Sequence, residues 1–451
     1  MSERPTAFFV VVLVLAAFGS AIPASGSANE TPTAETNASA QPIELRSCTT
    51  ITRPGTYVLA NDFVPGRDTT NLTDDLSACI SIQASNVVLD GRGHTLDGER
   101  RYPAPGVLVG TTELLRNVTV ENLTATGWGA GVGFVRVRDA VARNVTARGN
   151  LGDGVVALGS ENATIADVTA RRNGIGVYVF DSPRSSVTDT ESTRNGEGVR
   201  ILRSDDVVVN ATAASGNDLT GVGVFQSDRV TVADSRLEGN VFAGVALFSS
   251  QRARLRNLSV TNTTAVTTAE VPAGVYLSGS AARLSRSTLR NNSEWAVYAT
   301  GASRAVGRRV RIGASEDSEA TERRLSFEAT DVALRGAEVA SSDNGESVLP
   351  PLPTERQTVG GTLLADATEA SGTLTLTSRY RNADVVRASA LEPTLAFYRA
   401  DDGNWTRVET DLDVEANVAT ATFDDLNETG IALVGEGLAE TGEEVGNEST
   451  A

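Results

Sequence analysis

Asparagine recurs through the middle of the chain at Asn150, Asn173, Asn195, Asn217, Asn240, Asn262 and Asn291, at intervals of 23, 22, 22, 23, 22 and 29 residues. A glycine follows the first five within a few residues, at Gly154, Gly176, Gly198, Gly221 and Gly244, Gly274 follows Asn262 at a longer interval, and Gly131 opens the series. The next residue is valine every time: Val132, Val155, Val177, Val199, Val222, Val245 and Val275. Two positions on, the residues are again apolar, as in Val179, Ile201 and Val224, and between them lies a mixed set that includes Tyr178, Arg200 and Gly223. In–out–in alternation is the period of a strand. A fixed period of this length marks stacked supersecondary units. Twenty-two residues is too short for a helix, a strand and two loops, but it suits two or three short strands joined by bends. A further strand follows in each unit, around Ile165, Val187, Val209, Val232 and Leu255. Stacking such units in parallel places identical apolar side chains in columns. The pattern predicts roughly eleven coils between Cys79 and Leu325, a rod on the order of 50 Å long.

"GVYVFDSPRSSVTDTESTRNG" and "GVALFSSQRARLRNLSVTN" resemble the repeats of right-handed parallel β-helix proteins, in particular the NosD-like group of carbohydrate-binding and sugar-hydrolase domains. The segment Ser47 to Gly98 resembles the opening segment of archaeal members. The resemblance covers about Ser47 to Val339 and implies an all-β solenoid with polysaccharide or metal-related roles. Fold alone does not assign function, which lives in sites on the fold.

The order along the chain is then a signal peptide (1–28), a tether (29–42), the β-helix (43–340), a Pro- and Gly-bearing linker (341–360), a small immunoglobulin-like β-sandwich (361–436) and an acidic tail (437–451). The leader reading rests on Arg4, the apolar run that follows it and the small residues after that. The run is short for a membrane span, and an uncleaved anchor is the alternative. The sandwich rests on alternating runs such as "TLTLTS", "LAFYRA" and "VATATF" and on the turn at "DDGN". These features place the chain outside the cell or on its surface, as a monomer.

The net charge is −18, and all 39 basic residues are arginine. An acidic, lysine-free surface resembles haloarchaeal proteins, and it argues against a nucleic-acid partner, whose backbone needs clustered positive charge. Cys48 and Cys79 are an even pair in an exported chain and read as a disulfide stapling the first coils. Asn71, Asn117, Asn162, Asn404 and Asn427 head Asn-x-Ser/Thr triplets and are glycosylation candidates. Asn144, Asn210 and Asn257 stand where other coils carry Asp167, Asp189 or Asp234, and read as turn or ladder residues.

Three chemistries were weighed. Copper handling, implied by the NosD-like resemblance, needs His, Cys or Met donors. The chain has one histidine, His94, and only the initiator methionine. Polysaccharide cleavage by a lyase or hydrolase needs carboxylates or a base on an outer strand face. Aligned coils bring Asp153, Glu197 and Arg200 together as candidate catalytic groups. Tyr178, Trp128 and Tyr276 are candidate sugar platforms, and the same residues are equally readable as a solvated acidic face. Glu161, Asp205 and Asp228 align as acids that could hold calcium, or as turn residues bonded to backbone. No metal ligand set and no cofactor are assigned, with Ca2+ left possible. The expected role is binding or structural, associated with cell-surface glycan.

Overall fold

In the computed structural model the described residues are 41–64, 78–100, 104–264, 272–292, 295–300, 303–308, 310–313, 331–335, 337–341, 349–367, 373–380, 382–401, 403–427 and 429–437. The chain coils into a right-handed parallel β-solenoid of about nine turns, followed by antiparallel sheets. Eleven turns were expected; the last parallel strand described is Arg311–Gly313, and the next described residues, Asp331–Arg335, pair antiparallel.

Each coil carries three strands, stacked in parallel on the same strands of the next coil. In the first sheet Val155, Val177, Val199, Val222, Val245 and Val275 are register partners in sequence, and all are fully buried. Ile165, Val187, Val209, Val232 and Leu255 form the matching column of the second sheet. Tyr178 and Arg200 face the other way, as the alternation predicts. The glycine before each valine is needed for close approach. A Cβ on Gly198 would stand 2.4 Å from the Gly221 carbonyl oxygen and 2.9 Å from Asn217 Nδ2.

Beneath those glycines runs a buried amide ladder. The backbone N–H of Asn150 donates to Asn173 Oδ1, and the pattern repeats from Asn173 to Asn195, Asn195 to Asn217 and Asn217 to Asn240. Each Nδ2 returns a bond to a carbonyl of an earlier coil, as Asn195 does to Ala170. At the bends, where the backbone leaves the sheet ladder, this satisfies groups that would otherwise be buried unpaired. Asn262 and Asn291 do not belong to it, contrary to the sequence spacing. They are left-handed residues one position earlier, Asn262 half-buried and Asn291 exposed, equivalent to Arg172 and Arg194, and Thr263 and Asn292 take the ladder positions. A second buried ladder of hydroxyls links Ser160, Ser182, Ser204, Ser227, Ser250, Ser280 and Ser303, each N–H donating to the next Oγ.

Cys48 and Cys79 are bonded, with Cα atoms 4.5 Å apart. The cross-link ties the strand Thr49–Ile51 to its parallel neighbour Ile80–Ile82 at the open end of the solenoid.

At the other end, Ala337–Ser341 pairs antiparallel with Trp295–Thr300 of the first sheet, and Asp331–Arg335 with Arg304–Arg308 of the second. Each solenoid sheet therefore continues into an antiparallel one. The first runs on through Arg356–Ala367, Thr429–Glu436, Ala396–Asp401 and Asn404–Arg407. The second runs through Thr373–Arg379, Val418–Phe423 and Asp411–Asp413. Phe397 and Phe423 meet edge to face across the two, 5.8 Å apart, and the apolar core is continuous with that of the coils. The reading of 341–360 as linker is corrected in its last residues, which begin the strand Arg356–Ala367. The Gly360–Gly361 pair falls where that strand shifts register between Thr358 and Thr362, so it marks an irregularity within a strand. Among the described residues no helix is long and apolar enough to cross a membrane.

Candidate functional site

The outer face of the first sheet has three rows of side chains. One row holds Asp153, Ile175, Glu197 and Thr220, the middle row Val156, Tyr178, Arg200, Gly223, Ala246, Tyr276 and Tyr298, and the third Leu158, Phe180, Leu202, Phe225 and Phe248. Because every strand has the same register, each row runs along the rod axis.

The aligned coils bring together Asp153, Tyr178, Glu197 and Arg200, as expected. Asp153 and Glu197 flank Ile175, so they lie two strand spacings apart, about 10 Å. Glu197 is 3% exposed and forms a two-pronged ion pair with Arg200, whose Nε donates to Oε2 at 2.9 Å while Nη2 donates to Oε1. A buried carboxylate is retained when a cation and hydrogen bonds compensate for lost water. Even so, burial pushes the Glu197 carboxyl above its usual range, opposed by Arg200. Burial pushes Asp153 up to about 7; Arg200 pulls it down and Glu197 pushes it up. Burial also pushes the Tyr178 phenol up to about 12. The hydroxyl of Thr220, also buried, has no hydrogen-bond partner and lies beside Gly223, as does Glu197 Oε2.

Beyond Tyr178 and Tyr276, the aromatic side of this face was not read from the sequence. Gly223 presents no side chain in the middle row, and the Phe225 ring folds down beside it. Phe225 stacks parallel on Phe248 with centroids 4.9 Å apart, Phe248 lies 5.3 Å from Tyr276, and Tyr276 stacks on Tyr298 at 5.3 Å. Arg200 caps the series, 5.2 Å from the Phe225 centroid. Upstream, Tyr178 leans on Phe180, and Arg203 covers that ring while pairing with Asp181. All of these rings are half-buried. The signal was present: the position after the second inward residue of each coil is Phe180, Phe225 or Phe248 in three coils.

Trp128 is corrected. It is fully buried, its indole N–H donates to the Leu96 carbonyl at 2.9 Å, and its ring packs against Gly98 and Gly106, so it offers no platform. Tyr276 does lie on the outer face. Asp205 and Asp228 accept from the backbone N–H of Asp228 and Gln251 on the next coil, and Glu161 pairs with Arg138 and Arg184. Their oxygens are occupied by the fold, and the described residues contain no group of three or more acids, histidines or cysteines placed to hold a metal. His94 Nδ1 lies 3.1 Å from Asp62 Oδ1. Asn117, Asn162, Asn404 and Asn427 are exposed, and Asn71 lies outside the described residues. Asn144 and Asn257 are left-handed turn residues, but Asn210 is not; its register partner is Thr188, and Ala211 takes the left-handed position.

Residues 105–265 match the family model described as the right handed beta helix region. Among solved structures, the periplasmic alginate epimerase AlgG is 14% identical with a TM-score of 0.43, covering 58% of this chain and 69% of its own. A DFA-IIIase from Arthrobacter chlorophenolicus A6, in complex with GF2, is 12% identical with a TM-score of 0.43, covering 59% and 80%. Full-length tailspike protein 2 from Escherichia coli O157:H7 bacteriophage CAB120 is 10% identical with a TM-score of 0.42, covering 87% and 67%. Comparison with curated proteins finds no match.

Proposed function

We propose that this is a glycan-associated protein of the cell exterior that holds an extended polysaccharide along the outer face of its first sheet. The observation that carries the reading is the continuous row of half-buried rings from Phe225 to Tyr298, set beside a polar cluster at Asp153, Glu197 and Arg200. Rigid aromatic faces supply apolar contact with one wet edge, and a row parallel to the rod suits a linear polymer. Arg200 is pinned by Glu197, so the pair positions hydroxyl or carboxylate groups without moving.

A second reading, cleavage by a lyase or hydrolase, is favoured by the geometry of one row: Asp153 and Glu197 lie about 10 Å apart on the outer face, and burial pushes the Asp153 carboxyl up to about 7, a range suited to a general acid or base. The NosD-like copper reading rests on resemblance alone. Both cysteines are in the disulfide and the sole histidine is engaged with Asp62.

The test is binding to a panel of acidic and neutral polysaccharides, with reducing and unsaturated ends followed in the same samples. Binding without turnover, weakened in Phe248→Ala and Tyr276→Ala, supports the first reading. Turnover abolished by Asp153→Asn with binding retained supports the second. Neither binding nor turnover across the panel removes both.

A further inference from the structure

Charge is distributed unevenly along the rod. Between Ser249 and Gly313 the chain has ten arginines and only two carboxylates, Glu270 and Glu294, although its net charge is −18. Upstream, several outward arginines are each neutralised by a carboxylate. Arg138 pairs with Glu161, Arg143 with Glu121, Arg203 with Asp181, and Arg229 with Asp205 and Asp206. Arg256, paired with Asp234, is the last of this series.

Beyond it the pattern changes. Arg254 and Arg283 are register partners on the adjacent parallel strands Ala253–Arg256 and Ala281–Ser285, and both are exposed. Their backbones are about 4.8 Å apart. Arg304 sits one coil further, opposite Ala281, in the row that Arg252 begins. Among the described residues none of Arg252, Arg254, Arg283 and Arg304 forms an ion pair, although Arg254 is near enough to Asp206 to lower its pKa. Like charges facing each other across a sheet are destabilising, so the fold gains nothing from this arrangement by itself.

We infer that the outer face of the second sheet, from Arg252 to Arg304, is a binding surface for an anionic polysaccharide carrying carboxylate or sulfate groups. Arginine presents a planar fork that takes either anion in two-pronged fashion. The arginines repeat at the coil spacing along the rod axis, which fits charges repeating along a polymer. A nucleic-acid duplex fits less well. It carries one charge per ~1.7 Å along its axis, far denser than arginines set a coil spacing or more apart. The surface is separate from the aromatic face, and the inference does not depend on that reading.

The experiment uses the full chain with four probes: sodium polygalacturonate, dextran sulfate, neutral dextran and a short DNA duplex. Affinities are measured at low salt and again at about 1 M NaCl, where screening shortens to ~3 Å. The wild type is expected to bind both polyanions at low salt in preference to dextran. The double variant R254Q/R283Q should lose on the order of tenfold in affinity with an unchanged melting temperature, and R254K/R283K should retain most of it. The component of binding lost at about 1 M NaCl should be missing in R254Q/R283Q, while the component that survives high salt should be unchanged there, so failure here and failure of the aromatic-face reading give different patterns. Undiminished affinity in R254Q/R283Q, or no preference for polyanions over dextran, overturns the inference. Tighter binding of DNA than of either polysaccharide overturns the assigned ligand class.

Discussion

The coils before Arg256 and those after it share one scaffold and differ in how they are completed. Upstream, the amide ladder is unbroken from Asn150 to Asn240 and several outward arginines are paired with carboxylates. Downstream, Thr263 interrupts the ladder, an insertion lengthens one coil to 29 residues, and Arg283 and Arg304 form no ion pair among the described residues. The interior columns of apolar side chains continue through both. A solenoid is stabilised by contacts between neighbouring coils, so each coil can change its surface without cost to distant ones. Stability is thus written on the inside, and the outside is free to vary.

The largest expected effect tests the shared part. Val177→Asp places an unpaired charge between Val155 and Val199 and should cost more than about 4 kcal/mol, leaving little folded protein. A folded variant with a near-normal urea midpoint would mean that the valine column does not carry the fold.

The ladder gives the sharpest comparison between regions. Asn195→Ala removes the acceptor of the Asn173 N–H and the donor to Ala170, and should destabilise by about 2–4 kcal/mol because buried partners remain unpaired. Thr263→Ala removes one side-chain bond, to Asn292, and should cost about 1 kcal/mol. Equal costs in chemical denaturation would erase the distinction drawn between the two regions.

A smaller effect comes from Asp153. Its folded pKa, about 7, lies above its ordinary value of 3.8. The folded state therefore holds the proton more tightly between these values. The resulting stabilisation is complete below the lower value and is lost as pH rises through about 7. Asp153→Asn should flatten this decline and be relatively more stable at pH above 7 than the wild type. Thermal melts across pH decide it; a wild-type decline that persists unchanged in Asp153→Asn would place its origin elsewhere.

Much of this was legible in sequence because a period repeated many times averages out local noise. Valine after glycine in every coil set the inward face, and with it the outward direction of Tyr178 and Arg200. What was missed has local causes. Asn262 and Asn291 mimic the ladder because asparagine also favours the left-handed bend beside it. Trp128 reads as a platform, but Gly98 and Gly106, distant in sequence, make room for its ring in the interior. The Glu197–Arg200 pair was hidden because alternation places residues three apart on opposite faces of a regular strand. Here Gly198 and Val199 are both buried, so the strand departs from alternation at that point. The aromatic row required a second outward position to be followed as carefully as the first.

The central claim is that the first sheet's outer face holds a polysaccharide by its rings. Affinity electrophoresis through an acidic polysaccharide gel at high salt tests it most directly, since the arginine surface is screened there. Retardation of the wild type that is lost in the double variant F248A/Y276A, with R254Q/R283Q behaving as wild type, is the predicted result. Wild-type mobility unaffected by the polysaccharide, or retardation that survives F248A/Y276A, would contradict it.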